Sequence, residues 1–144
     1  MSLSQEYLEA RAIAQRITAE VGEPVFYVLE REAVETSGRL FREQPLVARA
    51  LAALGAEPDR IGHGLSLVTK VALDAGAIIL IERGNGGRIE QVYRLVAMAH
   101  VAGVLHDIRR EEKDHARKGA EEAERMLRDF DLDSGERLAI GGAI

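Results

Sequence analysis

Val101-Ala102-Gly103-Val104-Leu105-His106-Asp107-Ile108 is an apolar run that ends on an imidazole and a carboxylate. Upstream of it, Val92, Val96, Ala99, Gly103 and His106 recur at helical spacing and share one face. The spacing predicts a helix that begins at Arg88 and ends near His106. Ala99 and Gly103 are small enough to let a second helix approach closely beneath the His. Residues 109–114 are polar and break the helix. Consecutive residues point about 100° apart on a helix. His106 and Asp107 therefore converge on one point only at the helix end, where the break falls.

Working outward, residues 58–82 read as a long helix opened by Pro58. Ile61, Leu65, Val68, Ala72 and Ile79 form its core stripe, with His63, Leu67, Lys70 and Asp74 on a neighbouring stripe. Gly84-Asn85-Gly86-Gly87 is a loop signal with no Lys-Ser/Thr sequel, so it is no P-loop. After the polar break, Asp114 is expected to cap a helix over 115–130. Asp133-Ser134-Gly135-Glu136 has the form of a capping box opening a last helix. On the N-terminal side, helices are expected over 3–21, stopped by Gly22, over 24–42, opened by Pro24, and over 45–55, opened by Pro45. This third of the chain carries no ligand-type cluster and reads as a helical cap or a dimerisation surface. The one ambiguous apolar run, residues 77–81, continues a helical stripe and is read as helix. The fold class is all-α.

Composition sets the outer bounds. A chain of 144 residues is long enough for one domain with a real core. Aromatic residues are only 4%, so Leu, Ile, Val and Ala must build that core. The absence of Cys excludes disulfides, thiolate metal sites and a Cys nucleophile, and is compatible with the cytoplasm. A net charge of −5 argues against nucleic acid as the main partner. Met1-Ser2-Leu3-Ser4-Gln5-Glu6 has no basic or apolar region of a signal peptide, and the longest apolar run is too short to span a bilayer. No membrane partner is expected.

Imidazole and carboxylate without thiolate suit a divalent transition ion such as Mn, Fe, Zn, Ni or Co. The run 101–108, preceded by His63-Gly64-Leu65-Ser66-Leu67-Val68 and followed by His115-Ala116-Arg117-Lys118-Gly119-Ala120-Glu121, resembles the HD-domain superfamily of metal-dependent phosphohydrolases. The resemblance covers roughly residues 61–144. It implies an HD-like helical bundle, with residues 1–57 as a helical extension packed on a metal-binding core over 58–144. It implies His63, His106 and Asp107 as metal ligands, with His115 as a candidate for a second metal or a phosphate contact. Asp107 also becomes the candidate catalytic residue, as orienter of the attacking water. The family reaction is phosphate ester hydrolysis, in which the ion lowers the pKa of a bound water and polarises a phosphoryl oxygen. A nucleotide or another small phosphorylated ligand is the expected substrate. Arg109 and Arg110 stand where many members have Gly-Lys, and with Lys70 they are candidates for neutralising phosphate oxygens.

The family's fourth ligand is an Asp on a later helix. Asp129, Asp131 and Asp133 come too soon and read as surface and capping residues. The expectation is therefore that these 144 residues hydrolyse phosphate esters poorly or not at all. The alternatives are an inactive HD-like domain that binds a ligand or partner, and a metal-free helical assembly module. His100, two turns before Asp107, matches no family ligand.

Overall fold

The computed structural model describes residues 4–55, 65–83 and 86–144, and all regular structure among them is helical. The chain divides into two compact units, Met1–Arg31 and Glu32–Ile144.

In the first unit, α1 (Gln5–Val21) starts on the Ser4 hydroxyl, which accepts from the Tyr7 amide. It stops at Gly22, whose φ of 79° suits a residue without a Cβ. None of its residues is buried. The short helix α2 (Val25–Leu29) follows Pro24.

The expected helix over 24–42 is in fact two. Glu30 leaves helical geometry at φ −105°, ψ 30°, and α3 (Arg31–Glu43) starts after it. Val25, Phe26, Tyr27 and Val28 are weak helix formers, so little local free energy resists the break. α4 (Pro45–Leu54) begins with Pro45 in the first turn, where its missing N–H costs nothing, and ends at Gly55.

The boundary expected between residues 57 and 58 lies outside the described residues. α3 buries Ser37 and Leu40, and α4 buries Leu46, Val47 and Ala50, so both belong to the compact unit that holds the later helices.

The second unit is organised around α6 (Ile89–Leu105). α5 (Leu65–Arg83) packs along it, α4 packs on it, and so does α8 (Ser134–Gly142), which also meets α7 (His115–Met126). All residues from His100 to Leu105 are buried, so the last turns of α6 are enclosed on every side. Each buried Val or Leu there contributes about 1.5–3 kcal/mol of transfer free energy. Leu46, Ala72, Leu127 and Ile140 from the surrounding elements complete the core around Val101 and Leu105.

The expected close approach of α5 and α6 is present. A Cβ on Gly103 would lie 2.5 Å from Ala72 Cα and 2.8 Å from Ala72 N. Of the stripe expected on α5, Val68 and Ala72 are buried while Leu65 is exposed, and Ile61 lies outside the described residues.

The helix expected over 115–130 ends early. α7 closes at Met126 and tightens into a 3-10 turn, Leu127–Asp129, that buries Leu127. Asp114 does not cap α7 through its side chain. It sits in the left-handed region at φ 60°, ψ 37°, which Asp tolerates better than most residues, and so turns the chain into the helix with its backbone. The capping box at α8 is complete: Asp133 Oδ1 accepts from the Glu136 amide and Glu136 Oε2 accepts from the Asp133 amide, both at 2.9 Å. No helix among the described residues is long and apolar enough to cross a membrane.

Candidate metal centre

His106 ends α6 as its C-cap. Its Nδ1 lies 2.7 Å from the Gly103 carbonyl oxygen. A carbonyl only accepts, so Nδ1 carries the proton of this bond and Nε2 is the ring nitrogen left to face the site. That Nε2 stands 3.4 Å from Asp107 Oδ2. The chain then winds through tight turns, with Arg110 N bonded to Asp107 O and Glu112 N to Arg109 O. These turns carry the chain to His115, the first residue of α7.

His106, Asp107 and His115 line one cavity of about 410 Å³. Its opposite walls are Val71 and Ala75 of α5 and the C-terminal Ala143 and Ile144. The cavity exists because the α6 residues that face it, Ala99, Ala102 and Gly103, fill little volume.

The donor geometry can be tested against a divalent ion. Two ligands each about 2.1 Å from a tetrahedral ion stand about 3.4 Å apart. The separation of His106 Nε2 and Asp107 Oδ2 fits that edge. The bond to the Gly103 carbonyl holds the ring orientation, as an outer-shell partner does for a metal-binding imidazole. No group of three metal-binding side chains forms among the described residues. His63, the expected third ligand, lies outside the described residues. His115 shares the cavity without joining such a group.

The three cations expected to meet phosphate are placed differently from one another. Arg110 Nη1 donates to Asp107 Oδ2 at 2.8 Å and so touches the site. Arg109 turns to α7, where it pairs with Glu122 at 2.9 Å, and also lies 3.3 Å from Glu112. Lys70 is exposed on α5 and pairs with Asp74 one turn on, at 3.0 Å. Neither Arg109 nor Lys70 lines the cavity. Carboxylates within reach on the same or the neighbouring helix offer these two cations a partner that spacing from the His-Asp pair does not disclose.

Two further features were not apparent in the sequence. Ser37 and His100 are both fully buried. The Ser37 hydroxyl donates to the Leu73 carbonyl at 2.7 Å, so its oxygen accepts from His100 Nε2–H at 2.9 Å. His100 Nδ1 has no hydrogen-bond partner. Burial lowers the His100 pKa from 6.5 to about 4, so the ring is neutral. Phe41 packs edge-on at 5.3 Å, and a Cβ on Gly76 would sit 2.1 Å from His100 Nε2. The pair joins α3, α5 and α6 and has no opening to the cavity's chemistry. A mid-helix Gly76 is the one sequence sign of it, since Gly in a helix interior often marks a close approach.

The second feature is a groove of about 690 Å³ between α6 and the start of α8. Arg94 crosses it and grips both oxygens of Glu136 at 2.6 and 2.7 Å, and the Asp131 carbonyl at 2.6 Å. The Arg94 guanidinium holds the Glu136 carboxyl below its usual range. This is a buckle between helices in which Arg94, Glu136 and Asp133 are all hydrogen-bonded.

No family model, curated protein or solved structure matches the chain.

Proposed function

We propose that the chain carries part of an HD-type metal centre and acts as a metal-dependent phosphohydrolase on a nucleotide or another small phosphate ester. One observation carries the reading: His106 Nε2 and Asp107 Oδ2 stand one ligand edge apart, with the imidazole pinned by the Gly103 carbonyl, on a cavity shared with His115. A divalent ion held there supplies Lewis-acid activation of water and positive charge for phosphoryl oxygens. His106 and Asp107 are the residues that would hold it, with His63 as a third ligand by the resemblance. Asp107 orients the attacking water by accepting its hydrogen bond. His115, at the start of α7, faces the position of an anionic ligand, where helix amides favour negative charge. The apolar walls, Val71, Ala75 and Ile144, limit water around the reacting group.

A second reading is an HD-like domain that binds its ligand without turnover. The occupation of Asp107 by Arg110 favours it. One experiment separates the two. The chain is titrated calorimetrically with Mn, Fe, Zn and Ni, then assayed with nucleoside monophosphates and an aryl phosphate. Metal-dependent hydrolysis that His106→Ala abolishes supports the phosphohydrolase. Metal binding without hydrolysis supports the binding domain. Equal binding by parent and Asp107→Ala removes both. We also propose that copies pair through the N-terminal helices, because Leu8, Ile13, Ile17 and Val21 of α1 are exposed.

A further inference from the structure

We propose that two copies of the chain pair through α1 side by side and in the same direction, as a short coiled coil whose orientation is set by Glu6 of one copy and Arg11 of the other. The proposal rests on the pairing of N-terminal helices above and gives that interface its geometry.

The argument begins with spacing inside α1. Tyr7, Ala10, Ala14, Ile17 and Val21 recur at alternating steps of three and four residues. That is the seam of a coiled coil, with Tyr7, Ala14 and Val21 at the a positions and Ala10 and Ile17 at the d positions. At about 100° per residue these side chains fall in one stripe, with Ile13 at its edge and Leu8 on the far side of the helix. The larger apolar residues of the stripe are uncovered: Ile17 is 52% exposed and Val21 78%. A helix placed this way receives none of the tertiary packing that stabilises most helices.

Charge decides what covers the stripe. The g positions on one flank hold Glu6 and Glu20, and the first e position on the other holds Arg11. All three are exposed, and neither Glu6 nor Arg11 has an ion-pair partner among the described residues. In a parallel, in-register pair, a g residue faces the e residue five positions later in the other helix. Glu6 of each copy then meets Arg11 of the other, so two ion pairs form by symmetry. An antiparallel pair sets g against g and e against e. With the helices overlapped most fully, Glu6 would meet Glu20 and Arg11 would meet Arg11. Like charges so placed oppose that arrangement. The two flanks of α1 therefore complement a second α1 in the parallel orientation.

The seam is also of the kind in which such charges weigh heavily. The 17 residues of α1 make little more than two heptads. Ala10 and Ala14 bury little area, so the apolar contribution is small. The same small side chains let the helices come close, which brings the flanking Glu and Arg within reach of each other.

The test reads association of the full chain by sedimentation equilibrium at low salt over a range of concentrations. The parent is compared with Arg11→Glu, Glu6→Lys, an equimolar mixture of these two variants, and Ile17→Asp. No residue of α1 is buried, so these changes disturb no core. Each of the two charge reversals should weaken association about three- to tenfold by turning two attractions into repulsions. Mixing them should restore most of the parent affinity, because opposite charges then face each other again. The mixture matters because Glu6 lies in the first turn, where a positive charge also weakens the helix itself. Ile17→Asp should abolish association. Arg11→Glu that pairs as tightly as the parent, or Glu6→Lys that pairs more tightly, is the antiparallel result; it overturns the proposal and leaves the pairing standing. Weakening of both variants without recovery in the mixture overturns it too. A dimer that survives Ile17→Asp lies elsewhere on the chain, and a parent that is monomeric at every concentration forms none; either removes the pairing through α1 and its orientation together.

Discussion

At Gly103 a single missing methyl decides how near two helices come. A Cβ there would meet the Ala72 backbone at 2.5 and 2.8 Å, and backbone cannot step aside as a side-chain tip does. Gly103→Ala should gain helix propensity of about 1 kcal/mol. It should lose more by forcing α5 off α6, with a net cost of about 1–3 kcal/mol in urea unfolding. A variant as stable as the parent would show that the contact is looser than described. His100 supplies a second prediction at this scale. Its ring is neutral when folded, with a pKa of about 4, against 6.5 for the unfolded chain. The unfolded state therefore binds a proton first as pH falls. Stability from this group is full above about pH 6.5, declines between 6.5 and 4, and changes no further below. The total loss is about 3 kcal/mol. Unfolding free energies across that range should follow this course in the parent, and His100→Gln should remove this component of the slope. A parent whose stability is flat between pH 6.5 and 4 would contradict the neutral buried ring.

At the scale of the element, the sequence was most legible where the signal is local. The Asp133 to Glu136 box needs only four consecutive residues, and its two bonds form as expected. Asp133→Ala should cost about 1 kcal/mol. Amide exchange should show the loss as faster exchange within α8; unchanged rates there would mean that the cap contributes nothing. Legibility fails where the deciding partner is remote or the departure is a single residue. Glu30 breaks the expected 24–42 helix by one off-helix torsion, which periodicity averages away. Asp114 was expected to cap with its carboxylate and instead turns the chain in the left-handed region. Both failures lie at element boundaries, where the free-energy difference between local alternatives is small and packing chooses.

For the whole molecule, α1 matters because none of its residues is buried. A helix of 17 residues is marginal in water by itself. Its amides should exchange far faster than those of α6, which open only with the core. If copies pair through it, protection of residues 5–21 should rise with protein concentration while that of 89–105 stays constant. Concentration-independent protection of α1, together with a monomer in sedimentation, would sink the pairing.

The sequence by itself determined the all-helical class, the placement of His106 and Asp107 at a helix end, and the closeness of α5 to α6 at Gly103. Each depends on residue size or on spacing within one helix, which tertiary context does not alter. Lys70 pairs with Asp74 one helical turn on and Arg110 with Asp107 three residues back, both local pairs, whereas tertiary structure decided that Arg109 turns to Glu122 on α7. It also decided the buried Ser37–His100 pair, whose members are 63 residues apart and meet only because Gly76 leaves them room. A polar side chain is satisfied by whichever complementary group the fold brings within about 3 Å, and for Arg109 and for the Ser37–His100 pair that distance is set by how separate elements pack.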